Sequence, residues 1–255
     1  MTGPFPDVQG AKSRLLIALV VDNSSSMREQ DAIGELNAAL AAWRDEVRAD
    51  ANLCRIGEIA LVSFGAGGEG GATVVDPSGR GRDPLPSPFV PVGEFAPPTL
   101  VASGYSPMVP AIQRALALVD RRREELAEQG IAMAYRPLVY LLTDGAPSDE
   151  DGRPSDRWRD LAQELRRQEA EQRLLFFAFG VRGADRQVLE GLAPQANYLM
   201  ERNNFSLVLQ AVRQSIDRVM SSGRNAPAEV VQAGVQDTVG ELRELQDWFI
   251  RQTGL

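Results

Sequence analysis

Five oxygen-bearing side chains stand side by side in Asp22-Asn23-Ser24-Ser25-Ser26, directly after the apolar run LLIALVV at 15–21. Two more stretches carry the same chemistry. Gly104-Tyr105-Ser106-Pro107-Met108 offers the Ser106 hydroxyl, and Thr143-Asp144-Gly145 follows the apolar run LVYLL. Carboxylates and hydroxyls are hard oxygen donors, and the chain holds no histidine and a single cysteine, Cys54. Such a set suits a hard divalent cation such as Mg2+, with Mn2+ and Ca2+ as alternatives. The lack of histidine removes the usual general base, the Ser-His nucleophile pair and nearly all zinc and copper sites. The loops 22–26, 104–108 and 143–145 are therefore the stretches that would supply the metal ligands.

These side chains need a framework that brings them together. The β-branched run at 15–21 reads as a strand buried on both faces. Ile33, Leu36, Leu40, Trp43 and Val47 follow helical spacing, as do Val109, Ile112, Leu116 and Val119. Strands are expected at 56–64, 138–143, 174–179 and 198–200, with 72–76 as the antiparallel hairpin partner of 56–64. Helices are expected around Trp158, Leu161 and Leu165, at 186–192, and through Leu209, Val212, Ile216 and Val219. A Pro- and Gly-rich loop spans 77–98. The alternation predicts an α/β fold: an open, mostly parallel, doubly wound sheet with one antiparallel edge hairpin and helices on both faces. In such sheets ligands sit beyond the carboxyl ends of the strands, where the three oxygen-rich loops would meet. The expected organisation is a tail at 1–13, one α/β unit at 14–222, and a linker with an amphipathic helix at 223–255. The stripe Val231, Val235, Val239, Leu242, Leu245 and Phe249 on that helix fits docking on its own domain or on a partner equally well.

Composition narrows the function. A chain of 255 residues with 44% hydrophobic content has ample core for one large domain. Its formal charge of -8 disfavours a nucleic-acid partner held through phosphates. The lone Cys54 excludes an intrachain disulfide and reads as a small buried residue between a helix and a strand. No run approaches the roughly 18 apolar residues of a membrane span. The segment 12–21 lacks a signal-peptide cleavage site, so a soluble, cytoplasmic protein is expected.

Each loop also has an ordinary structural reading. Ser26-Met27-Arg28-Glu29 matches a capping box, and Ser106-Pro107 matches an N-cap followed by a first-turn proline. Asp144-Gly145 fits a simple turn. None of these accounts for all three oxygen-rich loops falling at one sheet edge. The stretch Gly65-Ala66-Gly67-Gly68-Glu69-Gly70 matches a dinucleotide fingerprint, but GATVVDPSGRGRDP follows instead of the required helix. A hairpin loop is the better reading. Asp149-Glu150-Asp151 reads as a solvated charge run, and Arg121-Arg122-Arg123 as a solvated helix end.

The three loops together resemble the metal-ion-dependent adhesion site of von Willebrand factor A domains. DNSSS fits the family's D-x-S-x-S pattern, Ser106 stands where the family carries a threonine, and TDG supplies its last aspartate. PPTLVASGYSPM and LLTDGAPSD resemble the bacterial TerY-like branch associated with tellurite resistance and stress operons. The resemblance spans about 14–222. It implies direct metal contacts from Ser24 and Ser26, water-mediated support from Asp22 and Asp144, and a direct or water-mediated contact from Ser106. It further implies a non-enzymatic adaptor whose protein partner supplies an acidic side chain to the metal, in a bacterial stress, signalling or defence complex beside a kinase or phosphatase. Two rival readings are a metal-dependent phosphatase or hydrolase on a related sheet and a scaffold with a vestigial site. Haloacid-dehalogenase phosphatases need a second aspartate two residues after the first, and that place here is Ser24.

Overall fold

The computed structural model describes residues 13–81, 85–200, 204–223 and 240. The amphipathic stripe at 231–249 and nearly all of the expected tail lie outside the described residues.

Strand β1 (Ser13–Asp22) lies inside the sheet because it is apolar on both faces: every residue of 15–22 is at 0% exposure. After it the chain makes a short 3-10 turn (Ser25–Asp31), then helix α1 (Ala32–Ala49) and the short α2 (Ala51–Ile56). Asp50 caps α2, accepting from the amides of Asn52 and Leu53. Strands β2 (Gly57–Glu69) and β3 (Ala72–Val75) form the expected antiparallel hairpin. Its tip turns on Gly67, Gly68, Gly70 and Gly71, all at positive φ, so the glycine-rich stretch serves as a turn.

The remaining elements are β4 (Val90–Pro91), α3 (Met108–Glu128), β5 (Ala132–Met133), β6 (Leu138–Thr143), α4 (Trp158–Ala170), β7 (Leu175–Gly180), α5 (Arg186–Leu192), β8 (Asn197–Leu199) and α6 (Phe205–Ser222). The sheet order is β3-β2-β1-β6-β7-β8, with β4 also on β2 and β5 at the start of β1. All pairings along β2-β1-β6-β7-β8 are parallel, and those of β2 with β3 and β4 are antiparallel. The expected open α/β sheet is the one observed.

Alternation along β1 divides the core. Leu15, Ile17, Leu19 and Val21 pack with Leu36, Trp43, Val212 and Ile216 of α1 and α6. Leu16, Ala18 and Val20 pack with Ile112, Ala115 and Leu161 of α3 and α4 on the other face. Successive strands are added on one side of β1 as β2 and on the other as β6. The order therefore reverses between β1 and β6, and a crevice opens at their carboxyl ends.

Two local readings change. Cys54 lies inside α2 and is only partly buried, its thiol facing the carbonyls of Val47 and Arg48. Arg122 is not a solvated helix-end residue. Its guanidinium donates twice to the buried Glu58, at 2.7 and 3.0 Å, and Arg14 adds a third bond at 3.0 Å. Helical periodicity cannot see this, because the partner belongs to a strand 64 residues away.

Candidate metal centre

Asp22 ends β1 and Asp144 immediately follows β6, so the two carboxylates flank the crevice where the strand order reverses. Asp22 is at 0% exposure and Asp144 at 7%. The Asp22 carboxylate accepts from the Ser24 amide at 2.9 Å and from the Thr143 hydroxyl at 2.7 Å. The first bond folds the serine loop back over the strand end, as an Asx turn does. The second ties the ends of β1 and β6 together. Thr143 Oγ1 in turn accepts from the Gly145 amide at 3.1 Å.

A chain of hydroxyls joins the two aspartates' loops. Ser26 Oγ donates to Asp144 Oδ1 at 2.8 Å, and Ser24 Oγ lies 2.9 Å from Ser26 Oγ. A serine hydroxyl has one proton. With that of Ser26 given to Asp144, Ser24 is the donor in the second contact.

Ser106 reaches the same place from another loop. A Cβ built on Gly145 would lie 3.6 Å from Ser106 Oγ, 3.9 Å from Asp22 Oδ2 and 3.9 Å from Ser26 Oγ. Oxygens from three loops thus surround one small space beside Gly145. The Ser106 backbone is held by Ser148, whose hydroxyl accepts from the Ser106 amide at 2.9 Å and whose amide donates to the Ser106 carbonyl at 2.8 Å. All five sequence-derived candidates are brought together.

The capping alternatives are not what these serines do. Ser26 lies inside the 3-10 turn at 25–31, whose cap position is Ser24 without a side-chain cap bond, and Glu29 has non-helical backbone angles. Helix α3 begins at Met108 behind Pro107, with no side-chain cap. Three supporting residues carried no separate role in the sequence reading: Thr143, Ser148 and Asn23. Thr143 was visible in the TDG stretch, whereas Ser148 offered no local signal. Asn23 is buried, its Nδ2 donating to the Val101 carbonyl at 3.0 Å. Its Oδ1 has no hydrogen-bond partner.

The electrostatics describe negative charge in search of a counter-ion. Burial, and then the neighbouring Asp144 charge, push the Asp22 carboxyl up to about 7 from 3.8. Asp144 is raised as well, chiefly by burial. Neither carboxylate has a hydrogen bond or ion pair with an arginine among the described residues. No group of three His, Cys, Asp or Glu side chains gathers among them either; this cluster has two carboxylates, and its other donors are hydroxyls. The donor set and the space beside Gly145 fit a small hard cation.

No protein-family model matches the chain, and no curated protein is similar enough in sequence to match it. Solved structures do match. The pilus adhesin SpaC from Lactobacillus rhamnosus GG, in its open conformation, superposes with a TM-score of 0.57 at 15% identity, covering 82% of this chain and 31% of that one. Proximal thread matrix protein 1 from the mussel byssus superposes with a TM-score of 0.50 at 18% identity, covering 79% of this chain and 45% of that one. The chain thus spans less than half the length of either. At these identities the likeness is one of fold alone: an open, mostly parallel, Rossmann-like α/β sheet with flanking helices.

Proposed function

We propose that this chain is a non-enzymatic, metal-dependent protein-binding module. Asp22, Ser24, Ser26, Ser106 and Asp144 would hold Mg2+, with Mn2+ or Ca2+ as substitutes. The observation that carries the reading is the convergence of these five residues at the β1/β6 crevice around two buried carboxylates without a cationic partner. When bound, the metal would supply an electrophilic centre with a coordination position open to an acidic side chain of a partner protein.

The chain's own residues prepare that site. Thr143 and the Ser24 amide hold the Asp22 carboxylate in place, so its orientation costs little on binding. Ser24 and Ser26 are neutral donors and leave the cation's charge uncancelled for the partner's carboxylate. The same inventory supports a binding role over hydrolysis, since no histidine exists to act as base and Ser24 occupies the place of a phosphatase's second aspartate. The resemblance to TerY-like sequences further suggests a cytoplasmic adaptor of a bacterial stress, signalling or defence complex, with a kinase or phosphatase of the same operon as partner. No described helix is long and apolar enough to cross a membrane.

Calorimetric titration with Mg2+ and Mn2+ tests the reading. Saturable binding, lost in Asp22→Ala and Ser24→Ala, is expected. No heat at millimolar metal with intact protein would leave a vestigial site.

A further inference from the structure

The exposed large hydrophobic residues among those described are two, Val101 at 72% and Tyr105 at 56% exposure. Isolated surface hydrophobics are common, but these stand four positions apart on one loop, and Ser106 is the next residue. That loop is fastened to the serine loop and α1 residue by residue. Leu100 exchanges two hydrogen bonds with the Asn37 side chain, at 2.8 and 2.9 Å. Val101 O accepts from Asn23 Nδ2, and Ala102 O accepts from Arg28 Nε and Nη2 at 3.0 and 2.8 Å. The Ser103 amide donates to Asn23 O at 2.7 Å, and Gly104 O accepts from the Ser25 amide at 2.9 Å.

The consequence is a rigid placement. Leu100 and Ala102 are buried, so an extended chain between them turns Val101 outward. The Tyr105 ring rests on Gly152, where an added Cβ would come within 2.5 Å of it. One side of the ring is thus supported by the 149–153 loop while much of the residue stays in solvent. Neither side chain contributes to the core, yet the Val101 backbone is tied to Asn23 of the serine loop and Tyr105 directly precedes Ser106.

We infer that Val101 and Tyr105 form an apolar rim that selects partners whose metal-seeking aspartate or glutamate lies in an extended segment flanked by apolar side chains. This inference rests on the metal-dependent reading above and adds the chemistry of the partner. Asp149, Glu150 and Asp151 belong to the loop under Tyr105 and are only partly offset by Arg153, which pairs with Asp151 and Asp149; the remaining negative charge disfavours a polyacidic segment, so specificity has an attractive and a repulsive part. Because the rim is already ordered, apolar contact there is gained with little entropy loss.

Short fluorescein-labelled glycine peptides test it: one with a central aspartate, one with leucine and phenylalanine beside that aspartate, and one with consecutive aspartates. Anisotropy is read with Mg2+ and with chelator. The apolar-flanked peptide is expected to bind about tenfold tighter than the glycine-flanked one, from burial of some tens of Å² on each rim residue. The advantage should need Mg2+ and should vanish in the Val101→Ser, Tyr105→Ser double variant, with calorimetric Mg2+ affinity unchanged. Equal binding of the two peptides, tighter binding of the polyacidic one, survival of the advantage in the double variant, or no peptide binding by protein that does bind Mg2+ would each overturn the rim. Absence of Mg2+ binding itself would instead overturn the underlying reading.

Discussion

Thr143 Oγ1 donates to Asp22 Oδ2 at 2.7 Å, joining the last residue of β6 to the last residue of β1 across 121 positions of sequence. This bond orients one carboxylate at the point where the sheet reverses its strand order. It is one of two tethers on Asp22, the other being the Ser24 amide. A side chain held so firmly, buried and facing a second carboxylate, is poorly explained by stability alone.

Asp22→Asn separates the two roles. The amide removes a buried charge that the metal-free fold must accommodate, a gain offset in part because its single oxygen cannot accept from both the Ser24 amide and the Thr143 hydroxyl. Chemical unfolding of chelated protein at pH 8 should show stability raised by about 1 kcal/mol. Mg2+ binding by calorimetry should be abolished. A purely structural aspartate would instead lose stability.

The pH dependence has a definite sign. Burial and the Asp144 charge push the folded-state Asp22 carboxyl up to about 7 from 3.8, so the folded state holds its proton more tightly than the unfolded one. The associated stability is fully present below about pH 4 and is lost as pH rises through 7. Subtracting the stability profile of Asp22→Asn from that of the parent, both with chelator, leaves the contribution of Asp22 and of Asp144, whose titration is linked to it. The difference should move against the parent between pH 4 and 7, and saturating Mg2+ should reverse it.

Gly145→Ala probes the space among the oxygens. The added methyl meets Ser106, Asp22 and Ser26 oxygens only at 3.6–3.9 Å, ordinary contact distances, so the melting temperature should change by no more than a few degrees. The same methyl occupies the small space those oxygens surround. Mg2+ affinity should fall by at least about tenfold, read by calorimetry.

Glu58→Ala should do the opposite. Glu58 is the second residue of β2, at the amino-terminal edge of the sheet, and it receives Arg14 and Arg122. Removing it leaves Arg14 without its carboxylate and Arg122 with Glu125 alone, and should cost about 1–3 kcal/mol of unfolding free energy. Mg2+ affinity measured on the folded protein should be unchanged.

Much of the architecture was legible from short stretches of residues. LLIALVV reads as a doubly buried strand because every side chain is apolar, and all of it is at 0% exposure. The helices at 32–49, 108–128 and 205–222 show in their apolar spacing. Strand β4 did not show, because its two residues lie in a Pro-rich loop and pair only through β2. Helix α2 did not show either, being a single short segment started by the Asp50 cap.

The three oxygen-rich loops stood out by residue type, since hard oxygens without histidine or thiol pairs leave few other uses, and the resemblance to the adhesion-site motif picked the five ligands within them. Which hydroxyl faces which carboxylate was a different matter. Ser26 could equally have capped the following helix, and only the arrival of Asp144 from 118 positions away turns its proton outward. Ser106 could have capped α3, yet Ser148 holds its backbone and the cluster receives its oxygen. Local pattern sets strand, helix and donor chemistry, because these depend on near neighbours in the chain. Sheet order decides the partners, because hydrogen bonds and charge burial at the crevice belong to segments that meet only once β1 and β6 lie side by side.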